Sequence, residues 1–157
     1  MAITLSPFTL QTRPHSHFAG LKIPLGARAA EEIPALWQTF MAQNPAQFMQ
    51  DDAEYGLCSA GNEGTEYSAA VMVAAGAQLP PHWCVLSVPA ASFAVFPHTE
   101  PVWRIRETIE MIFAPGGLTH PHQPLNNLAF FERYTPEFDP QTGLGGMSIW
   151  VPVNAAG

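Results

Sequence analysis

Charge is scarce in this sequence, and positive charge is scarcer than negative charge. Only 12% of the 157 residues are charged, with 13 acids against six bases, a single lysine (Lys22) and a net charge of −7. Proteins that bind nucleic acid normally carry a basic patch that displaces counterions, and Arg104 and Arg106 are the nearest approach to one here. We therefore expect no direct binding to nucleic acid. A negative protein attracts cationic ligands instead.

Cysteines and long apolar runs are also few. Cys58 and Cys84 have neither CxxC spacing nor a disulfide-rich context, which indicates two separate thiols. The longest apolar stretches, 68–77 and 84–96, are interrupted well before the roughly 18 residues that a membrane-spanning helix needs. The first residues lack the basic start and long apolar run of a secretory signal. We expect a cytoplasmic protein with no membrane segment.

Familiar catalytic and metal-binding motifs are missing too. There is no GxSxG, HExxH or phosphate-binding glycine loop, and the glycines of 143–146 lack both the GxGxxG order and a following helix. Two histidine pairs, at 15/17 and 120/122, have a spacing that some metal sites use, but neither has a third ligand nearby in sequence. We expect no metal and no cofactor.

The apolar content, by contrast, is ample for a packed core. Hydrophobic residues make up 47% of the chain and aromatic residues 11%, and this length is typical of one domain. We expect a single domain over 1–157, with its core at about 8–153. Along the chain, residue periodicity predicts a strand, a helix and two strands, followed by the same order again.

The first unit comprises an extended segment over 8–25, a helix over 30–42, and strands over 55–59 and 66–73. Apolar residues recur in the helix at three- and four-residue spacing, which makes one apolar face. Residues 60–64 are turn-forming, so the two strands are predicted to form a hairpin.

The second unit begins with the apolar run 83–97, which is rich in valine and phenylalanine and therefore typical of a strand. A helix over 101–113 and strands over 128–135 and 147–153 complete it. Two such units predict an α+β fold with two helices packed on a curved antiparallel sheet. A ligand cleft is expected between the two halves.

Several segments resemble a known family. VPAASFAVFPHTEPVWRIRETIEMIF, LAFFERYTPEF and MSIWVPV are similar to the second half of GyrI-like effector-binding domains, which have a SOUL-related fold. The first half agrees more loosely through FAGLKIPLG, IPALWQTF, EYGLC and EYSAAVMV. The resemblance spans about 8–153. Such domains occur in AraC-type and MerR-type transcription regulators and as stand-alone proteins.

The resemblance implies a binding module that takes up lipophilic, often cationic, small molecules between two pseudo-symmetric halves. It also implies that a cavity glutamate meets the positive charge of the ligand among aromatic rings, and Glu132 in FFERY is the matching position. The chain has no helix-turn-helix pattern, so we do not expect these residues to read DNA. A separate regulatory protein or a second copy of the chain are the candidate partners.

Strand geometry supports this choice of residue. Residues two apart on a strand share a face, so Phe130, Glu132 and Tyr134 are predicted to point the same way. A lone carboxylate is costly to remove from water unless a cation restores a favourable interaction, and each well-placed ring adds about 0.5–2 kcal/mol. Further candidate ligand contacts are Trp150, Phe96, Trp103, Tyr55 and Glu66.

Other interpretations of these residues stay open. Glu132 could pair with Arg104 or Arg106 or lie at an exposed strand edge, Glu66 could be a solvated acid, and the aromatic residues could be ordinary core. Some GyrI-like proteins hydrolyse electrophilic aromatic natural products, a reaction in which Glu132 with Glu66 or Tyr134 would activate water. A gyrase-inhibitor-like protein-interaction domain is the third hypothesis. We favour the binding module over the enzyme.

Overall fold

A computed structural model describes residues 3–62 and 64–154. Two α-helices pack on a curled eight-stranded antiparallel sheet. The strands are β1 (Thr9–Arg13), β2 (Ser16–Pro24), β3 (Glu54–Gly61), β4 (Gly64–Val73), β5 (Cys84–Val88), β6 (Ala91–His98), β7 (Leu128–Tyr134) and β8 (Met147–Val153), and the helices are α1 (Ala29–Met41) and α2 (Ile105–Phe113).

The order of strands shows the predicted duplication. The sheet runs β1-β6-β8-β7-β3-β4-β2-β5, so each half has four strands in the same relative order, and the halves meet where β7 pairs with β3. Each half contains the predicted strand, helix and two strands. The expected hairpin is present between β3 and β4, although its turn residue Glu63 lies outside the described residues.

Two segments that were each predicted as one strand form two strands instead. In both cases the two strands belong to different halves of the sheet. The segment 8–25 breaks at Pro14-His15, and the run 83–97 breaks at Pro89-Ala90. Proline has no N–H to donate to a strand ladder, so it ends the strand. After the breaks, β1 pairs with β6 of the second half, and β5 pairs with β2 of the first.

The short linkers force the sheet to curl. A flat sheet would separate β1 from β2 by roughly 29 Å, whereas the three Cα steps from Arg13 to Ser16 span at most about 11 Å. The edges therefore approach each other, and Phe18 of β2, Val88 of β5 and Phe93 of β6 share one apolar cluster. We call the side that this curl encloses the inner face.

The helices cover the other side, which we call the helix face. Leu36 and Phe40 of α1 pack on the β2–β4 region, and Ile112 of α2 packs on residues of β6 and β8. The first turn predicted for the second helix is a 3₁₀ turn over 102–104, and α2 itself begins at Ile105. Within residues 3–62 and 64–154, no helix is both long and apolar enough to cross a bilayer.

Candidate functional site

Glu132 is a buried acid on the helix face of β7. It is 6% exposed, and the strand register places it opposite Gly56 of β3 and Ile149 of β8. The hydroxyl groups of Tyr67 and Tyr134 donate hydrogen bonds to its Oε1 at 2.9 and 2.8 Å. In the described part of the chain, no hydrogen bond ends on Oε2.

Neither arginine considered as a partner of Glu132 pairs with it. Arg104 binds Glu100 at 2.9 Å and Glu107 at 2.8 Å, and Arg106 lies 3.6 Å from Glu110. Among the described residues, no lysine or arginine is within ion-pair distance of the Glu132 carboxylate. β7 is also a central strand rather than an edge. The carboxylate is therefore buried without a cation.

Burial controls the protonation of this cluster. It raises the pKa of Glu132, and the hydrogen bonds from Tyr134 and Tyr67 oppose that rise by favouring the carboxylate. Burial and the nearby Glu132 charge raise the pKa of both tyrosines well above the ordinary value. The two hydroxyl groups therefore keep their protons and act as donors.

Gly56 makes the contact between Tyr67 and Glu132 geometrically possible. Tyr67 lies on β4, two strands away from β7, and its side chain crosses β3 at Gly56. A Cβ atom at position 56 would lie 2.5 Å from Oε1 of Glu132 and closer still to the Tyr67 hydroxyl. Both contacts are shorter than real Cβ atoms show, so only glycine leaves the required space.

Aromatic side chains from the two helices pack on residues that neighbour Glu132 on the helix face. The indole N–H of Trp37, on α1, donates to the Tyr67 hydroxyl at 3.0 Å, and the Trp37 ring packs edge-on against Tyr134 with centroids 5.9 Å apart. Phe130 packs against Phe113 of α2 at 5.6 Å. Trp37 is one of the apolar residues that recur at three- and four-residue spacing in the first helix, and no local pattern in the sequence directs it to Glu132.

Two further groups on β3 lie beside this cluster. The Cys58 thiol is buried, and burial together with the Glu132 charge raises its pKa well above the ordinary value. Glu54 is opposite Tyr134 in register, and burial raises its pKa as well.

Of the candidates named from sequence, Phe130, Glu132 and Tyr134 share the helix face as predicted. Phe96 lies on the same face but packs in the cluster beneath α2.

Trp150 and Tyr55 are on the inner face, separated from Glu132 by the sheet. Trp150 stacks on Phe131 with centroids 5.6 Å apart and planes 11° from parallel. The Tyr55 hydroxyl donates to Asp51 Oδ2 at 2.5 Å. Tyr55 is fully buried. The structure therefore divides the aromatic candidates between two environments.

The last two candidates lie apart from both clusters. Trp103 is 69% exposed and rests against Gly143. Glu66 forms an ion pair with Lys22 at 3.3 Å. Its strand β4 occupies the position equivalent to β8 in the other half of the sheet, and β3 is the equivalent of β7.

Two surface grooves formed by the described residues lie away from Glu132. One groove of about 790 Å³ lies at the ends of β6, β7 and β8, and another of about 550 Å³ lies near the β3–β4 hairpin. Neither is lined by Glu132. In the described chain, no three His, Cys, Asp or Glu side chains are arranged to hold a metal ion.

The family is established by the sequence over almost its whole length. A family model described as integron-associated effector binding protein, Cass2, matches residues 9–153. The chain belongs to the Cass2 family. This match confirms the GyrI-like resemblance drawn from the FFERY and neighbouring segments. No curated protein matches this Cass2 member by sequence.

Solved structures share the Cass2-type fold at low sequence identity. SAV2435, solved bound to tetraphenylphosphonium, is 18% identical with a TM-score of 0.74, covering 96% of each chain. An integron cassette protein from the mobile metagenome of Vibrio cholerae is 14% identical with a TM-score of 0.62, over 96% of this chain and 97% of that one. The EcmrR C-terminal domain is 12% identical with a TM-score of 0.63, over 97% and 99%.

Proposed function

We propose that this Cass2-family chain binds a lipophilic aromatic cation, with Glu132 as the counter-charge. The observation that carries the proposal is a buried carboxylate whose only described hydrogen-bond partners are two tyrosine hydroxyls. A buried charge without an opposite charge is unfavourable, and an incoming cation removes that penalty. The tetraphenylphosphonium bound to SAV2435, which has the same fold, supports a ligand of this class.

The proposed contacts combine one charge with several aromatic rings. Oε2 of Glu132 faces the cation, while Oε1 stays hydrogen-bonded to Tyr67 and Tyr134. Phe130, Tyr134 and Trp37 supply the ring faces, each worth about 0.5–2 kcal/mol when well placed. Because Trp37 packs against Tyr134, ligand entry requires Trp37 to move away from the sheet.

The test compares three ligands of similar shape and different charge. Tetraphenylphosphonium, tetraphenylborate and neutral triphenylphosphine oxide are titrated into wild type, Glu132→Gln and Glu110→Gln by calorimetry. Glu110 is an exposed acid paired with Arg106, so Glu110→Gln removes the same charge elsewhere. We expect Glu132→Gln to weaken tetraphenylphosphonium binding about 10- to 100-fold, and Glu110→Gln to leave it unchanged. Tetraphenylborate binding as tightly as the cation would show that Glu132 has no such role.

The same cluster also suits a hydrolase of electrophilic aromatic compounds. A carboxyl group with a raised pKa beside two protonated tyrosines is the combination that general acid–base catalysis uses. A binding module returns its ligand chemically unchanged, whereas a hydrolase yields a product heavier by one water. Mass spectrometry of a strained-ring aromatic electrophile after incubation with wild type and Glu132→Gln separates the two functions.

A further inference from the structure

A second cation-recognition cluster lies on the inner face, and Arg13 occupies it. The Arg13 guanidinium carbon is 5.9 Å from the ring centre of Phe18, 5.3 Å from Tyr55, 5.3 Å from Phe131 and 5.1 Å from Trp150. These rings come from β2, β3, β7 and β8, so they surround the guanidinium from different strands of the curl. We call the four rings the aromatic cage.

The cage holds this cation without a carboxylate in ion-pair contact. Arg13 donates to the Tyr55 hydroxyl at 3.1 Å and to Met72 Sδ at 3.6 Å, and Tyr55 in turn donates to Asp51. Among the described residues, no carboxylate lies within ion-pair distance of Arg13. Four other bases each have such a partner: Lys22, Arg28, Arg104 and Arg106.

Arg13 lies at the end of an edge strand. β1 is an edge strand of five residues that pairs, within the described part of the chain, with β6 alone, and its first four residues are exposed. Arg13 is its last residue, next to Pro14, which cannot donate to a strand ladder. Withdrawing the guanidinium from the cage therefore requires movement of the Arg13 side chain and of the short segment that joins β1 to β2.

The cage adjoins the groove of about 790 Å³. Register places Tyr55, Arg133, Ser148 and Pro97 side by side across β3, β7, β8 and β6, and the last three line that groove. The indole N–H of Trp150 donates to Ser148 Oγ at 2.9 Å, which joins a cage ring to a groove residue. Arg133 Nε is buried there without a hydrogen-bond partner.

We propose that the aromatic cage is a second ligand site, specific for planar cations such as an organic guanidinium or amidinium, with Arg13 as a built-in competitor. A planar cation stacks on the rings and donates to the Tyr55 hydroxyl as Arg13 does. The rest of the ligand lies in the groove, where an acceptor atom can meet Arg133 Nε. Because Arg13 is tethered beside the cage, its effective concentration there is on the order of millimolar. The ligand concentration must exceed that value to displace Arg13.

Chemical rescue tests the cage directly, in a Glu132→Gln background that removes the counter-charge of the first proposed site. Arg13→Ala vacates the cage, and millimolar methylguanidinium is expected to raise its melting temperature by about 3 °C. Urea, which is planar but neutral, should not do so. Arg28→Ala, which removes an exposed arginine paired with Glu31, is the matched control and should show no rise. An equal response to urea, or none to methylguanidinium, contradicts the proposal.

Displacement of Arg13 itself can be followed by NMR in the Glu132→Gln variant, in which Arg13 is kept. Ring currents from the four faces are expected to place the Arg13 Nε–H resonance upfield. Benzamidinium is expected to return it to its ordinary position, while neutral benzamide leaves it in place. This measurement decides the proposal even if Arg13→Ala does not fold. A resonance that stays in place up to about 10 mM benzamidinium would overturn it. The Glu132 site is tested separately, by the loss of tetraphenylphosphonium binding in Glu132→Gln. Failure of the proposed function and failure of the cage proposal can therefore be told apart.

Discussion

Glu132 and Arg13 are charged residues that have no ion-pair partner among the described residues. Each is held away from an opposite charge: Glu132 by two tyrosine hydroxyls and Arg13 by four ring faces. They lie on opposite faces of one sheet, so the chain offers a negative centre on the helix face and a positive one on the inner face. A site built around the negative centre is less stable empty than occupied by a cation.

The cost of the empty site predicts that Glu132→Gln stabilises the free protein. Burial raises the pKa of Glu132 in the folded protein above its ordinary value of 4.5. The unfolded chain therefore releases this proton at lower pH than the folded protein does. As pH rises from 4.5 through the raised pKa, the free energy of unfolding falls. The amide carries no charge and still accepts from Tyr67 and Tyr134. We expect Glu132→Gln to have a higher free energy of unfolding than wild type at pH 7, measured by urea unfolding. Below the ordinary pKa of glutamate the gain should vanish, and a destabilised Glu132→Gln at neutral pH would contradict this account.

The same group makes cation binding dependent on pH. Tetraphenylphosphonium keeps its charge at every pH, whereas Glu132 loses its charge as pH falls through its raised pKa. The association constant should therefore fall by up to tenfold per pH unit below that pKa. Calorimetric titrations between about pH 4 and pH 8 measure this slope. Glu132→Gln should show a flat profile over the same range, and a sloping one would assign the dependence to another group.

At the scale of elements, β3 sets the geometry of the Glu132 site. It lies between β4, which carries Tyr67, and β7, which carries Glu132. The absence of a side chain at Gly56 lets Tyr67 cross it. One backbone position therefore connects the two halves of the duplicated fold at their junction.

Gly56→Ala is expected to break that connection. The added methyl overlaps the Tyr67 hydroxyl and Glu132 Oε1, so both must shift within a packed sheet, at a cost of about 1–3 kcal/mol. Tetraphenylphosphonium affinity should fall with stability, as followed by thermal unfolding and calorimetry. Gly26→Ala is the control, because a Cβ there meets no atom within 4 Å. Equal behaviour of the two variants would show that the crossing at Gly56 is not tight.

At the scale of the whole molecule, the exchanged edge strands make the two halves interdependent. β1 completes the second half and β5 completes the first, and each is joined by a two-residue linker to a strand of the other half. The resulting curl encloses the ring cluster of the inner face. Neither half can form its four-stranded sheet without a segment from the other.

The fold class, both helices and the shared face of Phe130, Glu132 and Tyr134 followed from the sequence alone. Helix and strand periodicities are local, and side chains alternate along a strand whatever lies beyond it. The family resemblance then singled out Glu132 among the 13 acids. Glu132 as a ligand contact stays a prediction, as do Tyr134, Trp150, Phe130, Trp103, Phe96, Tyr55 and Glu66.

Only the tertiary structure decided the strand exchange and the partners of the two charges. The Tyr67–Glu132 hydrogen bond joins residues 65 positions apart, and Arg13 meets Phe131 and Trp150 from the far end of the chain. Such contacts depend on strand order and register, which no local pattern specifies. The alternation along β7 placed Glu132 on one face, but the pairing of β4, β3 and β7 determined that Tyr67 would reach it across Gly56.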